Sequence, residues 1–191
     1  GRLDATNVLG DSRVQVLTGV GIDHTEYLGS TLEEIAREKV AVVRSGGLLV
    51  SGPLPPVVAP IVNQVTDERD ANWIALQGVS PAFDDMKGPY VRENASLAIV
   101  AAESALERIS PGVWFDMKRA TEAIHDFAKS ERLQGRLQLT NNEPTEVRDS
   151  AHNAQAAKAL TDALGEIAEG RAVTLLVAML ADKPVDETLE E

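Results

Sequence analysis

Short apolar runs set off by glycines, each followed by a stretch of helical periodicity, limit this chain more than any other feature of its sequence. Residues 14–24 (VQVLTGVGIDH) read as a buried strand that breaks at glycines and delivers Asp23 and His24 at its C-terminal end. Residues 47–52 (GLLVSG) give a second short apolar strand, and residues 73–76 (WIAL) a third. Strand, helix, strand at this spacing is a parallel crossover unit, so the chain belongs to the α/β class.

The helix after the first strand carries one discordant residue. Ser30 or Thr31 caps it, because Glu33 and Glu34 stand three positions on and a hydroxyl satisfies an orphan N–H there. Leu32, Ile35, Ala36, Val40 and Val43 recur at the spacing of one buried stripe, and Lys39 falls inside it. Glu33, Glu34, Arg37 and Glu38 fall outside. Desolvation penalises an ammonium ion, so a lysine in such a stripe is driven toward a neutral, nucleophilic amine that can add carbon dioxide. The plainer alternative is a stem laid on apolar surface with its head lifted to water.

Further along, Pro55 and Pro56 suit the first turn of a helix running toward Val65. Residues 93–109 place Ala95, Ala98, Ile99, Ala102, Ala105, Leu106 and Ile109 on one helical face, and Pro111 forbids continuation. Residues 117–135 are polar and charged, and a boundary is expected near 134. Beyond it the pattern resets to a strand pair (136–140 and 145–153), a helix over 154–170 ending at Gly170, and a strand over 172–180 buried on both faces. Both halves therefore read as α/β. His125 reads as a surface residue, and Trp73, Trp114 and Phe115 as core or domain contacts.

Composition narrows the partners. With 191 residues and 43% hydrophobic content, the chain can bury one large core or two small ones. Its 30 acidic against 18 basic residues give a net charge of -12, which repels nucleic acid and anionic membrane surfaces. A phosphate-bearing ligand must be held by local donors or a metal. The absence of cysteine removes disulfides and thiolate metal sites and suits a reducing cytoplasm. No apolar run reaches the roughly 18 residues of a membrane span.

The segments GRLDATN (1–7), GIDHTEYLGSTLEEIAREK (21–39), ENASLA (93–98), GRLQ (135–138) and DSAHN (149–153) occur in that order. Together they resemble folylpolyglutamate synthase/dihydrofolate synthase, a branch of the Mur ligase family, over nearly the whole chain. The resemblance implies the latter part of a central ATPase domain over 1–134 and the first part of a Rossmann-like C-terminal domain over 135–191. It implies an ATP-dependent ligase that adds L-glutamate to dihydropteroate or tetrahydrofolate through an acyl phosphate. The family's glycine-rich phosphate loop ending in Gly-Lys-Ser is not in the sequence, so an internal portion, inactive alone, is expected. The intact enzyme would be monomeric, and the portion prone to self-associate. The alternative is a non-catalytic α/β binding module of the same origin.

The resemblance also assigns roles. Lys39 matches a carbamylated lysine that helps position Mg2+, with His24 as the matching metal-ligating histidine. Asn94 matches a nucleotide contact, Arg136 an arginine that reaches phosphate, and Asp149 and His152 residues on the nucleotide and glutamate side. Leu3, Asp4 and Ala5 match a stretch that touches the pteroate substrate. Ser150 departs from the glycine common at its position. Read singly, Asn94 could begin a helix, Arg136 could be a solvated charge, and Asp149 could cap the helix that follows.

Overall fold

The computed structural model describes residues 14–130, 133–140, 143–179 and 185–190. Leu3, Asp4 and Ala5, and with them the GRLDATN segment, lie outside the described residues. The chain divides into two compact units, one of residues 1–80 with 93–116 and one of residues 81–92 with 117–191.

The first unit is built on three parallel strands, β1 (Val14–Leu17), β2 (Leu48–Ser51) and β3 (Asn72–Ala75), hydrogen-bonded in the order β1-β2-β3 with Val14 opposite Leu48 and Leu48 opposite Asn72. Between β1 and β2 run α1 (Thr25–Leu28) and α2 (Leu32–Val40), and between β2 and β3 runs α3 (Ala59–Glu68). Alternation along the strands sends Leu17 and Leu49 into one core with Ile35, Ala36, Val40, Val43, Ile61 and Val62. Leu48 and Val50 point the other way and pack on Leu97 of α4 (Pro89–Ile109). Each such buried aliphatic side chain contributes about 1.5–3 kcal/mol. Thr31 is the cap of α2: its hydroxyl accepts the Glu34 N–H at 3.2 Å, while the Glu34 carboxylate accepts the N–H groups of Ser30 and Thr31. Those N–H groups, Ser30's foremost, hold the Glu34 carboxyl below its ordinary value.

Two expectations shift here. Pro55 and Pro56 lie in the turn before α3, closed by the Val58 N–H on the Pro55 carbonyl, and Pro60 takes the first helical turn instead, where its missing N–H costs nothing. In α4 the buried residues are Ala95, Ser96, Leu97 and Ile99, whereas Ala98, Ala102 and Ile109 are exposed. The sheet meets the Leu97 side of the helix, and Ser96 is accommodated because its hydroxyl accepts the Ser80 N–H at 2.8 Å.

The second unit holds a 3-10 turn (Pro81–Phe83), the first turn of α4, α5 (Met117–Ala128), β4 (Gln138–Thr140), β5 (Glu146–Arg148), α6 (Ala154–Ala168) and α7 (Val185–Leu189). Leu137, Ala163 and Ile167 form its core, flanked by Tyr90, Val91, Val147 and Leu160. Gly88 is required at its position: φ is +88°, and a Cβ there would lie 2.7 Å from Leu137 Cδ2 and 3.1 Å from Ala163 Cβ. The parallel crossover expected in this half is absent among the described residues, since β4 and β5 pair antiparallel. Residues 172–178 take no regular secondary structure and are exposed, Leu176 at 92%, and no described strand pairs with them, so the strand expected over 172–180 lacks the neighbours that would bury it. The charged stretch from residue 117 is instead the helix α5. The position near 134 falls inside this unit, because α5 is joined to residues 81–92.

His125 makes that join. Its Nδ1 lies 3.0 Å from the Thr121 carbonyl and its Nε2 3.0 Å from Asp85 Oδ1, with the ring 5.6 Å from that of Phe83. Both partners accept, so the protonated ring, with both nitrogens donating, suits the two contacts better than either neutral tautomer. Asp85 foremost, then the Thr121 carbonyl, raises the His125 pKa above 6.5, and His125 lowers that of Asp85. A raised folded-state value stabilises below the unfolded value and is lost as pH rises through the folded one. The urea midpoint of the second unit is therefore expected to fall between pH 6 and pH 8.5, and this fall should disappear in His125→Gln. An identical slope in the variant would exonerate the histidine.

Candidate functional site

The C-terminal end of β1 opens into a loop that closes on His24. His24 sits at φ 52° and ψ 40°, a left-handed conformation that few non-glycine residues adopt, at the N-cap of α1. Asp23 holds it: the His24 N–H donates to Asp23 Oδ1 at 2.8 Å, and the imidazole Nε2 is 3.7 Å from Oδ2. The imidazole is half-exposed. From α2, Lys39 arrives half-buried beside the stripe of Ile35, Ala36 and Val40, and its Nζ donates to the Gly19 carbonyl at 3.5 Å. His24 and Lys39 face one cavity of about 490 Å³, walled by Val16, Leu17, Tyr27, Leu28 and Val42. The edge where parallel strands end is where open α/β sheets hold ligands.

These two residues fit a divalent cation as partial donors. Imidazole offers nitrogen, and the Lys39 amine becomes an oxygen donor once carbamylated. Among the described residues no group of three or more His, Cys, Asp or Glu could hold a metal ion.

On the second unit, Arg136 is exposed immediately before Leu137, whose φ is 43°. Asp149 Oδ2 accepts the Leu137 N–H at 2.7 Å and the Tyr90 hydroxyl at 3.0 Å, and Oδ1 accepts the Ala151 N–H at 2.8 Å. His152 Nδ1 lies 2.9 Å from the Ser150 carbonyl, so Ser150 participates through its backbone while its side chain stays exposed. Asn153, not Asp149, caps α6, accepting the Ala156 N–H at 2.8 Å. The Asp149 carboxylate thus ties the loop that leads to His152 to the residue after Arg136. Asn94 is exposed in the second turn of α4 and belongs to the first unit.

Sequence reasoning missed two groups here. Tyr90 escaped because nothing in residues 89–92 signals a partner in residues 136–151. The other is Glu166, whose carboxylate takes both Arg92 Nη atoms at 2.7 and 2.8 Å and the Gly88 N–H at 2.9 Å. Arg92 foremost, then the Gly88 N–H, holds the Glu166 carboxyl at about 2. Trp114, expected in a core or contact, is 85% exposed, whereas Trp73 is half-buried with its indole N–H on Ser51 Oγ at 2.9 Å.

A parallel β-α-β layer with His24 and Lys39 near the carboxyl end of its first strand, followed in the chain by a second compact unit, is an α/β architecture. Its relatives make the assignment narrower. The dihydrofolate synthase/folylpolyglutamate synthase of Escherichia coli is 31% identical over 195 residues, covering 99% of this chain and 46% of that protein. The Mycobacterium tuberculosis folylpolyglutamate synthase, solved in complex with ADP and AMPPCP, superposes with a TM-score of 0.77 at 28% identity, covering 99% of this chain and 47% of that one. A bifunctional folylpolyglutamate synthase/dihydrofolate synthase from Yersinia pestis, complexed with AMPPNP and Mn ion, gives 0.76 at 28% identity, covering 100% and 47%. No family model matches the chain. The chain is homologous to the folylpolyglutamate/dihydrofolate synthases and spans about half the length of the curated relatives it matches. Among the described residues no helix is long and apolar enough to cross a membrane.

Proposed function

We propose that this chain supplies part of the metal site and part of the nucleotide site of an ATP-dependent ligase. The ligase adds L-glutamate to dihydropteroate or tetrahydrofolate in the cytoplasm. The observation that carries this reading is that His24 and Lys39, residues of different elements, face one cavity at the carboxyl end of β1. Homology to synthases solved with ATP analogues and a Mn ion supports it. Residues 1–134 would correspond to central-domain sequence and 135–191 to C-terminal-domain sequence of such a ligase.

In this reading His24 and a carbamylated Lys39 would hold Mg2+, which would supply positive charge beside the transferring phosphate. Arg136 spreads the charge that develops on the phosphoryl oxygens, its planar guanidinium suiting two of them at once. Asn94 offers an amide that both donates and accepts to a base edge, Asp149 and His152 line the nucleotide and glutamate side, and Leu3, Asp4 and Ala5 meet the pteroate. A substrate carboxylate oxygen attacks the γ-phosphorus and ADP leaves. The glutamate amine then attacks the acyl carbon, inorganic phosphate leaves, and the amine sheds a proton to solvent.

The test is a chimera in which this chain replaces the matching 46% of the Escherichia coli enzyme. ADP release that requires both glutamate and dihydropteroate or tetrahydrofolate is the expected result. A folded chimera without such turnover would favour a non-catalytic α/β module. By itself the chain should hold ATP no tighter than about millimolar, since it lacks that cradle of backbone N–H groups. Micromolar affinity by calorimetry would reveal another phosphate site.

A further inference from the structure

We propose that Tyr90 is a positioning residue for the nucleotide side of the site, its hydroxyl fixing the Asp149 carboxylate and, through the Leu137 N–H on the same oxygen, the backbone that presents Arg136. The inference rests on the nucleotide reading of Arg136 and Asp149 given above, and adds a residue to it.

Three donors from three segments converge on one carboxylate: Tyr90 from the first turn of α4, Leu137 from the entry to β4, and Ala151 from the loop before α6. A carboxylate offers about four acceptor positions, so this arrangement leaves Oδ1 room for one further donor while Oδ2 is saturated. Leu137 is the sensitive point. Its φ of 43° is unfavourable for a branched aliphatic residue and persists only if its surroundings insist on it. Burial of its side chain against Ala163 and Ile167 supplies one constraint, and the 2.7 Å bond from its N–H to Asp149 supplies the other. Arg136 is bonded directly to that residue, so rotation at Leu137 would swing the guanidinium away.

Tyr90 secures the carboxylate in turn. Its ring packs on the Leu137 cluster while its hydroxyl reaches out to Asp149. Burial first, then the Asp149 charge and hydrogen bond, pushes the phenol well above the usual tyrosine range, and the nearby Arg136 opposes them. Tyr90→Phe therefore removes the tether and keeps the packing.

The experiment uses the full 191-residue chain, ¹⁵N-labelled and titrated with millimolar ATP and, separately, AMP. Tyr90→Phe should keep its cooperative fold, move the Leu137 and Ala151 amide resonances, and weaken ATP by about 3–10-fold, the loss expected for one hydrogen bond. AMP should lose less, because the misplaced group is the one facing the outer phosphates. Asp149→Asn should match the ATP loss, and the double variant should add nothing to it. If Tyr90→Phe leaves those amides and the ATP affinity unchanged while the parent binds ATP, the positioning role is overturned and the nucleotide reading stands. If the parent chain shows no ATP-dependent shifts even at tens of millimolar ATP, where a dissociation constant of about millimolar would be saturated, the nucleotide reading itself fails. Tyrosinate absorbance in a Tyr27→Phe background, where Tyr90 is the one tyrosine left, reads the tether independently: ionisation in the ordinary range near pH 10 would show that the bond to Asp149 does not form.

Discussion

Lys39→Ala in the chimeric ligase is expected to lower turnover by about a hundredfold or more, the scale on which removal of one group that stabilises transition-state charge is felt. The fold should survive, because Lys39 is half-buried and the packing of α2 rests on Ile35, Ala36, Val40 and Val43. A carbamate gives the position a negative, oxygen-donating group, and a lysine without it gives only a positive one. Lys39→Arg separates the two: it keeps the cation but cannot be carbamylated, so it should be as inactive as the alanine variant. Lys39→Glu places a carboxylate at a shorter reach and should recover part of the rate, as should millimolar acetate or bicarbonate added to Lys39→Ala. An arginine variant near parental turnover would mean that position 39 contributes charge or packing, and the carbamate would have to be abandoned.

The same region shows why the sequence was readable in some places and opaque in others. Glycines bounding Leu48–Ser51 and the period of Leu32, Ile35, Ala36 and Val40 are local signals, and local hydrogen bonding and burial obey them directly. The Thr31 and Glu34 cap is equally local. The roles proposed for His24 and Lys39 came from the ordered motifs of a resemblance, since spacing alone left a solvated lysine in play. What failed was long-range. The apolar face of α4 turned out to be the one that a three-stranded sheet happens to meet, with Leu97 inward and Ala102 outward. Residues 172–178 have the composition of a buried strand, yet composition cannot supply a neighbour, and no described strand pairs with them. In α5, apolar residues are few enough that the charges masked the period, and the joining contact came from His125, a residue read as solvated surface. Tyr90 had no sequence signature at all, because its partner lies 59 residues away.

Glu166 is expected to be the most costly polar residue of the second unit to remove. Its carboxylate takes a bidentate pair from Arg92 and the N–H of Gly88, a residue that cannot change without striking Leu137 and Ala163. Arg92 also donates to the Met86 carbonyl at 2.8 Å, so α6, the 86–88 turn and the start of α4 share one network. Breaking one partner of a fully buried pair costs about 3–5 kcal/mol, and with the two side chains here 20% and 34% exposed the discounted expectation for Glu166→Ala is about 2–3 kcal/mol. Glu166→Gln should cost less, because it retains an acceptor for one Arg92 donor. The pH dependence fixes the charge as the agent. The carboxyl is held at about 2 in the folded state against an ordinary value of 4.5, so the stabilisation is complete above about pH 4.5 and fades as pH falls toward 2. The two tryptophans lie in the first unit, so fluorescence is blind to this loss. Amide hydrogen exchange in α6, followed in urea at pH 6 and again at pH 3.5, reads it instead. Protection of α6 should drop with acidity in the parent and vary far less in Glu166→Gln. Equal acid sensitivity in both would show that the Arg92 pair is an ornament of the surface and that apolar packing around Leu137 alone holds α6 in place.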